Sequence, residues 1–284
     1  MLTSFTDLLD EHARRQDPPG ALGAFTCYDL EVATAVLEAA AGRDRGVVLL
    51  ISREAFAAPG GEQLLVAVRA AAERSAARAC IQLDHVSDLD LIDGAFELGA
   101  GAVMADGSKL PFEENVELVR RAQSSAERFG GAVEAELGHV AGGEDVAVAT
   151  MAEGLTDPAD AVRFTELTGV ALLAVSIGNV HGKYVGEPQL EFELLGRLEQ
   201  ALEVPLSLHG ASGLPDADVQ RAVGLGVRKI NANTELREAY LAATRSALPA
   251  AEEGLRVMDL HAAQTAAVRQ LVAEKIGVFT EGSK

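Results

Sequence analysis

The chain reads as an α/β protein: a (β/α)8 TIM barrel with an N-terminal helix and a C-terminal helical extension, one domain over residues 1–284. Three observations predict this. Eight short apolar runs alternate with helical patterns along the whole sequence, and pure alternation implies a parallel sheet that eight units can close. Runs such as Gly46-Val47-Val48-Leu49-Leu50-Ile51 are continuous rather than alternating, as in strands buried on both faces. The rival, an open doubly wound sheet, needs a G-x-G-x-x-G loop after an early strand, and neither of the first two runs has one.

The elements follow in order. Residues 2–15 place Leu2, Phe5, Leu8, Leu9 and His12 near helical spacing, and Asp17-Pro18-Pro19-Gly20 stops that helix. A strand at 21–26 and a helix at 30–41 lead to the strand at 46–51. Helix 62–76 precedes strand 79–84, helix 88–98 precedes strand 101–105, and helix 112–129 precedes strand 131–137. The last of these helices gathers Phe112, Val116, Val119, Ala122, Ala126 and Phe129 on one face. Pro158-Ala159-Asp160 opens a helix near 158–168 before the run at 170–177. Helix 190–202 leads to strand 204–208, helix 215–223 to strand 227–231, and helices 235–248 and 258–276 close the chain. No Pro- or Ser-rich linker divides it. The one long polar connection, 138–157, contains Gly142-Gly143-Glu144-Asp145 and reads as a mobile, functional loop.

Composition narrows the function. Hydrophobic residues make up 48% and aromatics 4%, with no Trp, so the core is aliphatic and Ala-rich. A net charge of −19 argues against nucleic acid and anionic membranes as partners, leaving room for a local phosphate site. The start, Met1-Leu2-Thr3-Ser4, lacks a basic region followed by an apolar core, and no apolar run approaches ~18 residues; a cytoplasmic enzyme is the expectation. Cys27 and Cys80 both sit in apolar runs and read as buried thiols.

In a barrel, chemistry sits at the C-terminal ends of the strands. Those ends carry Asp84 and His85, Asp106, Glu134 and Glu136, His181, His209, and Asn231 to Thr234. Three imidazoles from three strands suit a catalytic Zn²⁺, which takes three protein ligands and keeps one position open. Three hydrogen-bonded histidines at strand ends are the bland alternative. His12 and His261 fall on helices as surface or packing residues, and His139 begins the long loop. Glu134 and Glu136 share a face, as do Lys229 and Asn231. An inward Lys raises a Schiff-base chemistry, but Glu134 at similar depth predicts a buried ion pair that keeps Lys229 protonated. Leu208-His209-Gly210-Ala211-Ser212-Gly213 ends a strand in a small-residue turn, and Asn231-Ala232-Asn233-Thr234-Glu235 repeats the design one strand later. Turns after strands seven and eight are a recurring phosphate site in barrels, though each also reads as a plain helix cap.

These residues resemble the class II, zinc-dependent ketose-bisphosphate aldolases, in their fructose-bisphosphate/tagatose-bisphosphate branch. The likeness runs through Gly23-Ala24-Phe25, Leu83-Asp84-His85, Val103-Met104-Ala105-Asp106, Pro111-Phe112-Glu113-Glu114-Asn115, Val133-Glu134-Ala135-Glu136-Leu137-Gly138, Gly178-Asn179-Val180-His181-Gly182, Leu208 to Gly213, and Lys229-Ile230-Asn231. It implies reversible cleavage of a ketose bisphosphate to dihydroxyacetone phosphate and an aldehyde through a metal-stabilised enediolate. By matching positions, His85, His181 and His209 hold Zn²⁺, and Asp106 and Glu136 belong to a second or displaced metal position. Asp84 moves the proton of the aldehyde-derived oxygen, and Glu144 moves the carbon-bound proton. Gly182, Gly210, Ala211, Ser212, Asn231, Ala232, Asn233, Thr234 and Ser52 bind substrate. A monovalent cation, Na⁺ or K⁺, is a second implied cofactor, and a homodimer or homotetramer the implied assembly.

Departures from the family pattern bear on the aldehyde. Thr26 replaces an Asn, Val86 a His, and Asp106-Gly107-Ser108-Lys109 stands for Asp-Ala-Ser-His. His181-Gly182-Lys183-Tyr184-Val185-Gly186 lacks the usual Lys at 185, so Lys183 or Lys109 is expected to replace it. The same machinery acting on another phosphorylated sugar or sugar acid, or a non-catalytic phosphosugar binder, are the alternatives.

Overall fold

The computed structural model describes residues 1–14, 20–142, 149–150 and 154–280. In chain order the elements are α1 (Phe5–Arg14), β1 (Leu22–Thr26), α2 (Leu30–Gly42), β2 (Val47–Ser52), α3 (Arg53–Ala57), α4 (Gly61–Arg74), β3 (Ala79–Val86), α5 (Leu89–Glu97), β4 (Ala102–Ala105), α6 (Phe112–Phe129) and β5 (Ala132–Leu137). Then come β6 (Ala149–Thr150), α7 (Pro158–Thr168), β7 (Leu172–Val175), β8 (Lys183–Tyr184), α8 (Phe192–Ala201), β9 (Leu206–Leu208), α9 (Asp216–Gly224), β10 (Val227–Ala232), α10 (Thr234–Gly254) and α11 (Val257–Thr280). Eight strands close a parallel barrel in the order β1-β10-β9-β7-β5-β4-β3-β2, while β6 and β8 form a separate two-stranded sheet. The fold is the (β/α)8 barrel read from the sequence.

Strand periodicity explains both cores. Alternate residues point out to the helices or in to the barrel axis. Val47, Leu49, Ile51, Ile81, Leu83, Val133, Ala135 and Leu208 join the large apolar layer under the helices. Leu22, Ala24, Val48, Leu50, Cys80, Ala102 and Leu172 form a smaller cluster with Phe5, Leu8 and Leu9 of α1, which therefore plugs the N-terminal end of the barrel. His12 is buried on that plug with Nδ1 on the Leu8 carbonyl, a packing role. Cys27 and Cys80 are buried thiols, and burial pushes Cys80 up to about 12. Above the apolar plug the interior turns polar: Gln82, Glu134, Ser207 and Lys229, all 0% exposed, then Asp84, Glu136, His209 and Asn231. The apolar floor and polar mouth concentrate the buried polar groups of the described barrel toward one end. Among the described residues no helix is long and apolar enough to cross a membrane.

Candidate active site at the barrel mouth

Asp84 and His85 are neighbours in sequence, and a regular strand would turn them to opposite faces. The β3–β4 register shifts between Leu83 and Val86, and His85 adopts φ +50, a left-handed conformation that costs a side-chain-bearing residue energy. The bulge lets β3 deliver both side chains to the mouth. After it, Val86 is paired with Ala105 and 0% exposed within the outer apolar layer. The Val86 departure therefore lies away from any substrate.

Five barrel strands and the segments that follow them, β3, β4, β5, β7 and β9, bring the predicted ligands together. One ring nitrogen from each of His85, His181 and His209 lies within 4.8 Å of the others, and His85, Asp106 and Glu136 form a second such group. The other nitrogens of His85 and His209 are occupied: Asp106 Oδ2 sits 2.9 Å from His85 Nδ1, and Glu134 Oε1 sits 2.9 Å from His209 Nε2. A carboxylate accepts only, so each of those nitrogens carries the proton. The lone pairs of His85 Nε2 and His209 Nδ1 then face each other at 2.9 Å. Two acceptors at that distance repel unless a cation lies among them. The donor set fits a metal ion, with carboxylates behind two of the imidazoles as metal-bound histidines ordinarily have.

The electrostatics follow from burial and neighbours. Burial pushes His209 down to about 4, against the pull of Glu134, so its imidazole is neutral and ready to ligate. Burial would raise Asp106, but the His85 ring and the Ser108 hydrogen bonds outweigh it and hold the carboxyl well below the usual range. Burial likewise works against ionisation of Glu134, yet Lys229, His209 and Gln82 keep its pKa low. Glu136 goes the other way, pushed up to about 7 by burial and then by the Asp106 carboxylate.

The predicted Lys229–Glu134 pair is present, with Nζ 2.9 Å from Oε2 and both side chains 0% exposed. Lys229 also donates to Asn231 Oδ1 at 2.5 Å, which turns the Asn231 amide nitrogen toward Asp84 Oδ2 at 3.3 Å. Asn231 thus holds Asp84 as well as facing the mouth. Ser52 lies beside Asp84 in the β2–β3 register and caps α3 by accepting from the Ala55 N–H.

Two cavities meet at His181. The smaller is lined by His181, Gly182, Gly210, Ser212, Asn231, Asn233 and Thr234, at the N-terminus of α10. It gathers most of the residues expected to bind substrate. Ala211 and Ala232 face the outer apolar layer and offer backbone only, and Ser52 lies outside this cavity. The larger cavity, about 590 Å³, is lined by His85, Asp106, Glu136, His139, Gly142 and His181, and farther out by Arg53, Ser87, Ser108 and Lys109. Thr26 lines neither; it is buried beside Tyr28 and Arg237 in a third cavity. Val185 is 57% exposed.

The long connection leaves from the larger cavity. The His181 N–H donates to the Ala141 carbonyl at 2.7 Å, and β6 pairs with β8 just beyond. A Cβ on Gly142, at φ +106, would fall 2.2 Å from the His181 carbonyl oxygen, so only glycine fits this approach. Glu144 lies outside the described residues.

Three supporting residues were given no role in the sequence reading. Asn179, 0% exposed, accepts from Ile177 N–H and donates to the Val175 and His209 carbonyls, stapling the β7 loop to the end of β9. Asn115 donates from α6 to the Glu136 carbonyl at 3.0 Å. Gln82 donates to Glu134 at 2.6 Å. Polar residues at apolar-strand or helix positions were the available signal.

Comparison with known proteins agrees with the geometry. Residues 5–284 match the family model described as fructose-bisphosphate aldolase class-II. The structure of the YdjI aldolase from Escherichia coli K12 is 31% identical, with a TM-score of 0.85 and 99% of each chain covered. A putative fructose-1,6-bisphosphate aldolase from Coccidioides immitis is 28% identical with a TM-score of 0.88, over 98% of this chain and 96% of the other. Fructose-bisphosphate aldolase from Campylobacter jejuni, at 21% identity and a TM-score of 0.80 over 98% and 95%, shares the fold.

Proposed function

The chain belongs to the class-II fructose-bisphosphate aldolase family and is a lyase, and on that premise we propose that it is a zinc-dependent aldolase acting on a ketose bisphosphate. The substrate is fructose 1,6-bisphosphate or tagatose 1,6-bisphosphate, cleaved reversibly to dihydroxyacetone phosphate and glyceraldehyde 3-phosphate. The observation that carries this reading is the convergence of three imidazole nitrogens within 4.8 Å beside Asp84 at the barrel mouth.

His85, His181 and His209 would hold the zinc, and Asp106 and Glu136 would belong to a second or displaced metal position. When bound, zinc supplies a Lewis acid that lowers the energy of the negative charge left on the ketone half of the substrate. The rest falls to the chain. Gly182, the 210–212 turn and the 231–234 turn receive the phosphate of the dihydroxyacetone half, helped by free N–H groups at the start of α10. Asp84 takes the hydroxyl proton from the carbon that becomes the aldehyde. The carbon–carbon bond breaks, its electron pair stays with the ketone half, and Glu144 protonates that carbon. In the reverse direction each proton returns by the same route. The Lys229 amine already serves Glu134 and Asn231, which disfavours a Schiff base.

Zinc content and activity on both bisphosphates, before and after chelation, test the reading. Stoichiometric zinc and chelator-sensitive cleavage are expected; lyase activity that survives chelation sinks the zinc mechanism. A second reading, another phosphorylated sugar or sugar acid, is favoured by the larger cavity of about 590 Å³, which has Lys109 and the Arg53–Glu54 pair on its wall. Assaying fructose, tagatose and deoxy-sugar phosphates in parallel separates the two. Sedimentation tests the accompanying proposal of a homodimer or homotetramer.

A further inference from the structure

Beneath the three histidines lies a buried chain of contacts with a defined polarity. Lys229 can only donate, and it donates to Glu134 Oε2 and Asn231 Oδ1. Gln82 donates to the same Oε2 at 2.6 Å. Two donors on Oε2 leave Oε1 directed at His209 Nε2, 2.9 Å away. Every side chain linking Lys229 to the His209 ring is 0% exposed, so water cannot substitute for any of them.

We infer that Glu134 is a positioning residue for the metal site, locked by Lys229 and Gln82 so that it fixes the tautomer and ring orientation of His209 and presents Nδ1 to the ion. The pair is more than an ion pair that fills the barrel. It decides which nitrogen of His209 carries the proton, although neither partner touches metal or substrate. The inference rests on the metal reading above.

The geometry supplies a test in which folding and positioning come apart. Removing Glu134 alone strands the buried Lys229 charge and endangers folding, so both partners are changed together. Glu134→Met/Lys229→Met replaces the pair by apolar side chains of similar length and deletes the acceptor at His209. Glu134→Gln/Lys229→Met removes the charges and keeps a carbonyl able to accept from His209 Nε2. Zinc affinity is read by competition with a chromophoric chelator, and unfolding is followed in parallel.

The Met/Met protein should fold and bind zinc about 10–100-fold more weakly, the usual cost of losing such a partner. The Gln/Met protein should recover most of that loss. Parental zinc affinity in the Met/Met protein would reduce the pair to a structural element and overturn the inference. So would a Gln/Met protein as weak as Met/Met. A parent protein that binds no zinc overturns the metal reading itself and the inference with it.

Discussion

Replacing Glu136 by Gln should stabilise the metal-free protein in alkali and leave it nearly unchanged in acid. Glu136 is 1% exposed; its Oε1 accepts from the Val140 N–H at 3.1 Å, and Oε2 has no hydrogen-bond partner among the described residues. Burial, followed by the Asp106 carboxylate, raises the carboxyl from 4.5 to about 7, while His85, His181 and the Val140 N–H pull the other way. Between those two values the folded protein keeps a proton that the unfolded chain releases. Stability from this group is therefore full below 4.5 and is lost as pH rises through about 7. At ~1.4 kcal/mol per pH unit, the ceiling is about 3 kcal/mol. Gln is neutral throughout and still offers Val140 a carbonyl. Urea unfolding of chelated protein at about pH 5 and about pH 8 should show the variant's advantage growing toward the ceiling with pH. Equal stabilisation at both values, or none in alkali, would refute the reasoning.

Other perturbations separate the roles of neighbouring residues. Asp84→Ala should retain zinc and lose turnover by about 10²-fold or more, measured by metal analysis and cleavage rate; near-parental activity would show that another group carries the proton. Asn179→Ala leaves the Ile177 N–H and the Val175 and His209 carbonyls without their partner, at roughly 1–3 kcal/mol apiece. A loss of ~3 kcal/mol or more in urea unfolding is expected, and a loss below ~1 kcal/mol contradicts the staple. Lys109, on the wall of the larger cavity, has no ion pair among the described residues. Lys109→Met should raise KM for anionic aldehydes in the condensation direction and spare neutral glyceraldehyde; equal effects on both would remove Lys109 from specificity.

The fold was legible because its signal is redundant. Each barrel strand is buried on both faces, so its apolar run stands out whatever its neighbours do. Helix α6, Phe112–Phe129, coincides with the apolar stripe at 112–129, and Asp157 and Pro158 mark the start of α7 by cap chemistry. The five-residue α3 was missed because so short a helix carries no periodicity and its N-cap, Ser52, reads as a substrate-binding residue. The pairing of β6 with β8 was missed because two residues per strand carry no periodicity.

The site was legible only as far as strand ends point inward. His209, directly after β9, follows from that rule, and so does the depth at which Glu134 meets Lys229; His181 stands six residues past Val175 on a loop bridged to Ala141. What alternation hides is the second duty of Glu134 at His209, since a pairing partner is visible in sequence spacing and a third contact is not. Thr26 shows a different limit: a residue at the right strand end can still turn into another cavity.

Asp84-His85 marks where the periodic rule must break for the enzyme to exist. On an unbroken β3 a face-in Asp84 would put His85 among the helices, and a face-in His85 would put a carboxylate there, at a desolvation cost no neighbour could offset. The bulge at Leu83–Val86 and the left-handed backbone of His85 resolve the conflict locally, after which Val86 resumes the outward phase. The cost is about 1–2 kcal/mol of backbone strain at one residue. In return, the acid and one imidazole share a rigid strand end, and their separation is set by consecutive peptide geometry. The proton carrier proposed at Asp84, which would have to stay beside a metal throughout turnover, is better anchored this way than from a separate loop.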